Sequence, residues 1–136
     1  MTPETTATAA RRLLLVDDEE AILFAMWDYL VQRGYEADCA GTRREAEDFL
    51  DAGSYAVVIA DLRLDPSDPR GGLALLRRAR AADPRTRTVL LTAYGSGDVE
   101  AELKAIGADL LLSKPQPLKR IADEVDRLLG SAEGSS

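Results

Sequence analysis

Five side chains stand where short apolar runs end, and their types suit the handling of a phosphoryl group. Asp17 and Asp18 follow the run at 13–16, Asp61 follows 55–60, Thr92 follows 88–91, and Lys114 comes shortly after 110–112. Carboxylates gathered on one rim repel each other and raise at least one pKa unless something positive sits among them. A hard cation bound by oxygen ligands with several retained waters answers that need, and Mg²⁺ fits the description. Lys114 adds a fixed positive charge and Thr92 a hydroxyl donor, so the set makes a cage for a tetrahedral anion beside a metal. The chain has no histidine and one cysteine, Cys39. That removes Ser-His-Asp and Cys-His nucleophile pairs and any histidine general base, and leaves a zinc site almost without ligands. Gly95-Ser96-Gly97 lacks the following Lys-Ser/Thr of a phosphate-binding loop. The available nucleophile is a carboxylate, and the reading settles on Asp61.

The elements that must carry these residues alternate along the chain. Residues 13–16, 35–40, 55–60, 88–91 and 110–112 read as strands; 21–32, 42–52, 72–82, 98–106 and 117–129 read as helices, with Thr42 a cap and Gly34 and Gly107 stops. Near-continuous apolar strands alternating with helices imply a parallel sheet covered on both faces. Right-handed crossovers reduce the topology to a doubly wound α/β sandwich, whose working site lies beyond the carboxyl ends of the strands. A chain of 136 residues with 46% hydrophobic and 30% charged residues has the balance of one soluble globular domain. Residues 1–10 are expected to form a disordered N-terminal tail and 130–136, of linker composition, a flexible C-terminal one, leaving 11–129 as the domain.

The net charge of −7, with the acidic excess in residues 1–68, argues against a nucleic-acid partner and for a divalent cation or a basic protein partner. No apolar run approaches the ~20 residues of a membrane span, and no secretion signal opens the chain, so a cytoplasmic address is expected. Several features read as ordinary structure. Asp17-Asp18-Glu19-Glu20 taken alone is an acidic helix start, and Arg77, Arg78, Arg80, Arg85 and Arg87 a solvated face. Phe24, Met26 and Trp27 read as core or partner-facing packing, and Cys39 as a small buried hydrophobe.

Four segments in this order resemble the receiver domains of two-component response regulators: Leu13-Leu-Leu-Val-Asp17-Asp18-Glu19, Val57-Val-Ile-Ala-Asp61-Leu-Arg-Leu, Leu90-Leu-Thr92-Ala-Tyr-Gly95, and Gly107-Ala-Asp109 running into Ser113-Lys114-Pro115. The resemblance covers residues 11–129. It implies a flavodoxin-like five-stranded parallel sheet of order 2-1-3-4-5 flanked by five helices. It implies that Asp61 accepts a phosphoryl group from a histidine kinase or histidine phosphotransfer protein in a Mg²⁺-dependent reaction, the domain catalysing its own phosphorylation and slow dephosphorylation without being an enzyme. Asp18, Asp61 and the Arg63 carbonyl would ligate Mg²⁺ directly and Asp17 through water. Thr92 and Lys114 would contact the phosphoryl oxygens, and Lys114-Pro115 would be cis. The output would be a switched protein-interaction surface, read by a downstream protein or by an effector domain absent from this chain. Phosphorylation-dependent homodimerisation through the fourth and fifth helices is a further family expectation.

Three positions depart from the family pattern. Leu111 stands where a switch aromatic is usual, which would move the signal into a backbone shift of the loop at 92–97. The loop between Leu62 and Gly72 is longer than common and carries Pro66 and Pro69, which suggests a stiff cap or partner contact over the site. Gln116 replaces an aromatic after Lys-Pro. Arg63 and Tyr94, both bulky, occupy positions that tune hydrolysis, so slow loss of phosphate is expected. Two rivals remain in view. A haloacid-dehalogenase-type phosphohydrolase is opposed by Asp61-Leu-Arg63, where Asp-x-Asp is needed, and by an acidic pair that precedes the nucleophile. A pseudo-receiver that binds without being switched is opposed by the intact Asp18, Asp61, Thr92 and Lys114, and favoured by Leu111.

Overall fold

The computed structural model describes residues 11–93 and 97–134. In chain order the elements are β1 (Arg12–Val16), α1 (Glu20–Gln32), β2 (Glu36–Ala40), α2 (Arg43–Ala52), β3 (Val57–Asp61), α3 (Gly71–Ala82), β4 (Arg87–Thr92), α4 (Gly97–Ile106), β5 (Leu110–Ser113) and α5 (Leu118–Gly134). The five strands form one parallel sheet of order β2-β1-β3-β4-β5, the expected flavodoxin-like winding.

Side chains alternate across a strand, and here both faces are buried. Leu13 and Leu15 of β1 and Val57 and Ile59 of β3 face α1 and α5, meeting Leu23, Met26 and Leu30 of the one and Ile121 and Val125 of the other. Leu14, Val16, Val58, Ala60 and Leu90 face the opposite way, onto α2, α3 and α4 through Ala46, Leu75, Leu76, Val99 and Leu103. Each such aliphatic side chain contributes about 1.5–3 kcal/mol when fully buried, so the two cores, not helix propensity, hold the elements in place.

Local chemistry sets the ends. The Thr42 hydroxyl accepts from the Glu45 N–H at 3.1 Å to start α2, and Glu45 Oε1 accepts from the Gly41 N–H at 2.8 Å. Gly34 at φ 97° follows α1, and Gly107 at φ 75° follows α4, the left-handed conformation that favours glycine. α5 runs on to Gly134, past the end at Leu129 that the sequence suggests. A single glycine such as Gly130 costs about 1 kcal/mol in a helix relative to alanine and need not end one. The expected N-terminal tail lies outside the described residues, as do residues 135–136.

Of the arginines read as a solvated face, four are tied into ion pairs. Arg78 pairs with Asp51, Arg85 with Asp83, and Arg80 and Arg87 with Asp109. Trp27 donates to the Ala37 carbonyl at 3.1 Å. Cys39 is half-buried, and burial pushes its thiol up and away from reactivity. Among the described residues no helix is long and apolar enough to cross a membrane.

Candidate functional site

All the chemistry-bearing residues that the sequence singled out among the described positions meet at the carboxyl edge of the sheet. β1 ends at Val16 and delivers Asp17, which is fully buried. Its Oδ1 accepts from the Glu19 N–H at 2.9 Å and its Oδ2 from Lys114 Nζ at 3.0 Å. β3 delivers Asp61 as its last residue, with a side chain 13% exposed and Oδ2 at 3.3 Å from the same ammonium. Asp18 is exposed, yet Asp17, Asp18 and Asp61 each place a carboxylate oxygen within 4.8 Å of the others. Glu19 adds a more distant contact, Oε1 at 3.8 Å from Lys114 Nζ.

Thr92 is the last residue of β4 and is 2% exposed. It faces Ser113 in the register of β5, and its carbonyl accepts from the Lys114 N–H at 2.8 Å. That bond fixes the backbone from which the lysine reaches back to the acids. Lys114-Pro115 is cis, as the resemblance implied. Arg63 lines the same cleft, two residues beyond Asp61. Tyr94 lies outside the described residues.

The electrostatics follow from this crowding. Burial, the largest influence, pushes the Asp61 carboxyl above its ordinary range; the Lys114 ammonium pulls it back, while the charges of Asp17 and Asp18 add to the rise. For Lys114 burial works against the charge, but the hydrogen bonds and charges of Asp17 and Asp61 outweigh it and hold the ammonium above its usual pKa. The cluster is therefore short of positive charge, a donor set of hard oxygens that fits a divalent cation such as Mg²⁺. Lys114→Ala would leave buried Asp17 and Asp61 without their shared cation. It is expected to cost about 2–4 kcal/mol in urea denaturation with chelator present, and part of the loss should return when Mg²⁺ is added.

Two structural roles escaped the sequence reading. Gly72, taken only as a helix start, lies against the acceptor: a Cβ there would sit 2.0 Å from the Asp61 carbonyl oxygen. Its N–H donates to the Leu62 carbonyl at 2.8 Å, which satisfies a helix N-terminus that has no side-chain cap. The extended loop is braced rather than loose. Asp65 accepts from the Ser67 N–H and hydroxyl, Arg43 of α2 holds Asp68 at 3.0 Å, and Arg70 pairs with Glu102 of α4. Adjacent to the acids opens a cleft of about 840 Å³ that continues between α1 and α5 past Ile22, Met26, Leu118 and Ile121.

A five-stranded 2-1-3-4-5 sheet with an acidic cluster and a lysine at its carboxyl edge defines the class, and the family model described as response regulator receiver domain matches residues 13–126. The chain belongs to that family, a signalling domain and not a conventional enzyme. It is 35% identical over 125 residues to the transcriptional regulatory protein PmrA of Pectobacterium parmentieri, covering 92% of this chain and 55% of that protein. It is 28% identical to sporulation initiation phosphotransferase F of Bacillus subtilis, covering 87% of this chain and 93% of the relative. Among solved structures, a CheY-like response regulator receiver domain protein from Methanospirillum hungatei superposes with a TM-score of 0.84 at 26% identity, covering 93% of this chain and 98% of the other. The chain thus spans about half the length of PmrA and nearly all of the phosphotransferase.

Proposed function

We propose that Asp61 is the phosphoacceptor. One of its carboxylate oxygens forms a bond to phosphorus as the phosphorus–nitrogen bond of a phosphohistidine on a kinase or phosphotransfer protein breaks. The observation that carries this reading is the Asp61 carboxylate 3.3 Å from Lys114 Nζ, with Asp17 and Asp18 beside it on an open cleft. Lys114 would neutralise the equatorial oxygens and Thr92 would bond one of them once it is in place, so catalysis is positioning and charge neutralisation, with little covalent work for the protein. Asp18, Asp61 and the Arg63 carbonyl would hold Mg²⁺ directly and Asp17 through water; when bound, the ion supplies the positive charge that the acid cluster lacks. The acyl phosphate would bias a two-state equilibrium of the Thr92 loop and α4, changing a surface read by a partner protein.

The donor would be a cytoplasmic histidine kinase or histidine phosphotransfer protein approaching along the cleft. Phe24 of α1 stands 63% exposed and stacked on Trp27. Dimerisation on phosphorylation, and an output through a downstream protein or an effector domain, are proposals that follow from family membership.

Intact mass after incubation with phosphoramidate tests the reading. One phosphoryl adduct is expected with Mg²⁺ and none with chelator. Absence of an adduct in both conditions, with the protein folded, would favour the pseudo-receiver. Continuous turnover of a phosphomonoester would favour the hydrolase.

A further inference from the structure

We infer that Arg70 is a second cation for the phosphoryl group, held in reserve by Glu102 of α4, and that its transfer from one to the other frees α4. The inference rests on the phosphoacceptor reading of Asp61. Arg70 lines the cleft that contains Asp61, Thr92 and Lys114. It stands two residues before Gly72, which is docked on the acceptor's own backbone. The loop that carries it is therefore registered to Asp61 rather than hung free above it. In the unphosphorylated protein its guanidinium pairs with Glu102 Oε1, on a side chain that is 39% exposed.

Phosphorylation changes the competition for this cation. An acyl phosphate on Asp61 carries a charge of about −1.5 to −2 in place of the single carboxylate charge and presents three strong acceptor oxygens. The planar guanidinium fork matches such oxygens bidentately, and about half of the Arg70 side chain is already in solvent and free to turn. Once it turns, Glu102, whose side chain is 39% exposed, is left to water, and the ion pair that ties the loop to α4 is gone. The switch is thus an exchange of ion pairs. It needs no aromatic hydroxyl, which suits a chain with Leu111 packed on the α3–α4 side of the sheet.

The test is titration calorimetry with beryllofluoride and Mg²⁺, a phosphoryl mimic, on the full chain. Relative to wild type, Arg70→Gln is expected to weaken binding about tenfold, the worth of one charge-assisted contact, and Arg70→Lys to recover part of the loss. Glu102→Gln is expected to tighten binding about threefold or more, because it releases the arginine. In the Arg70→Gln background Glu102→Gln should change nothing. If both single variants weaken binding, or the gain from Glu102→Gln survives without Arg70, the pair is merely structural and the inference falls. Unchanged affinity in Arg70→Gln sinks it equally. Failure of wild type to bind the mimic would instead overturn the phosphoacceptor reading and this inference with it.

Discussion

Asp61→Asn is expected to do two opposite things: abolish the phosphoryl adduct and raise the melting temperature of the metal-free protein. The first follows because an amide is not a nucleophile toward phosphorus. The second follows from the charge inventory of the site, where Asp17, Asp18 and Asp61 crowd together and Lys114 pairs with two of them. Burial and its acidic neighbours place the Asp61 carboxyl above its unfolded pKa. A raised pKa in an acid means that the folded state prefers the protonated form, so ionisation at neutral pH costs stability. Asparagine keeps the shape and removes that cost. The gain should be about 1 kcal/mol, which for a domain of this size is about 2–6 °C. With Mg²⁺ at a hundredfold over its dissociation constant, wild type gains about 2.7 kcal/mol from binding, and the variant gains less because it has lost a ligand. The order of melting temperatures should therefore invert between chelator and saturating Mg²⁺. A variant that melts lower than wild type in chelator would show that Lys114 overcompensates the acids.

Much of this arrangement is legible in the chain itself, for a definite physical reason. Strands buried on both faces must be apolar throughout, so a polar residue at their end marks the carboxyl edge where a parallel sheet keeps its ligands. Asp17, Asp61 and Thr92 each announce themselves that way, and Lys114 follows one residue past β5. Element ends were less legible. Tyr35 and Tyr55 look like strand residues, yet they precede β2 and β3. Their rings are buried and their hydroxyls reach the carboxylates of Asp126 and Asp38, so what resembled strand propensity is packing between elements. The ion pairs that brace the loop, Arg43–Asp68 and Arg70–Glu102, join residues far apart in sequence and leave no periodic signal. They become visible only when α2 and α4 are placed on either side of the acceptor.

Gly72 is the clearest case of a requirement written in three dimensions, and it carries the second large expectation. A Cβ at position 72 would meet the Asp61 carbonyl oxygen at 2.0 Å, its carbon at 2.8 Å and the Leu62 Cα at 2.9 Å. All three are backbone atoms, so no rotamer change relieves the contact, and relief requires moving either α3 or the end of β3. The up to ~1 kcal/mol that alanine gains over glycine in a helix is too small to offset this overpacking. Gly72→Ala is expected to lose about 3 kcal/mol in equilibrium urea denaturation. Because the displaced carbonyl belongs to the acceptor itself, its rate of phosphorylation by phosphoramidate should fall as well. Gly71→Ala is the matched control. Its added Cβ meets only the Asp68 side chain, at 2.6 Å from Oδ2, which can turn aside at the expense of one exposed ion pair with Arg43, worth at most about 1 kcal/mol. Equal stability of the two variants would mean that α3 is free to slide on the acceptor strand. The site would then lack the fixed backbone that holds Asp61, and with it Arg70, in register with Lys114.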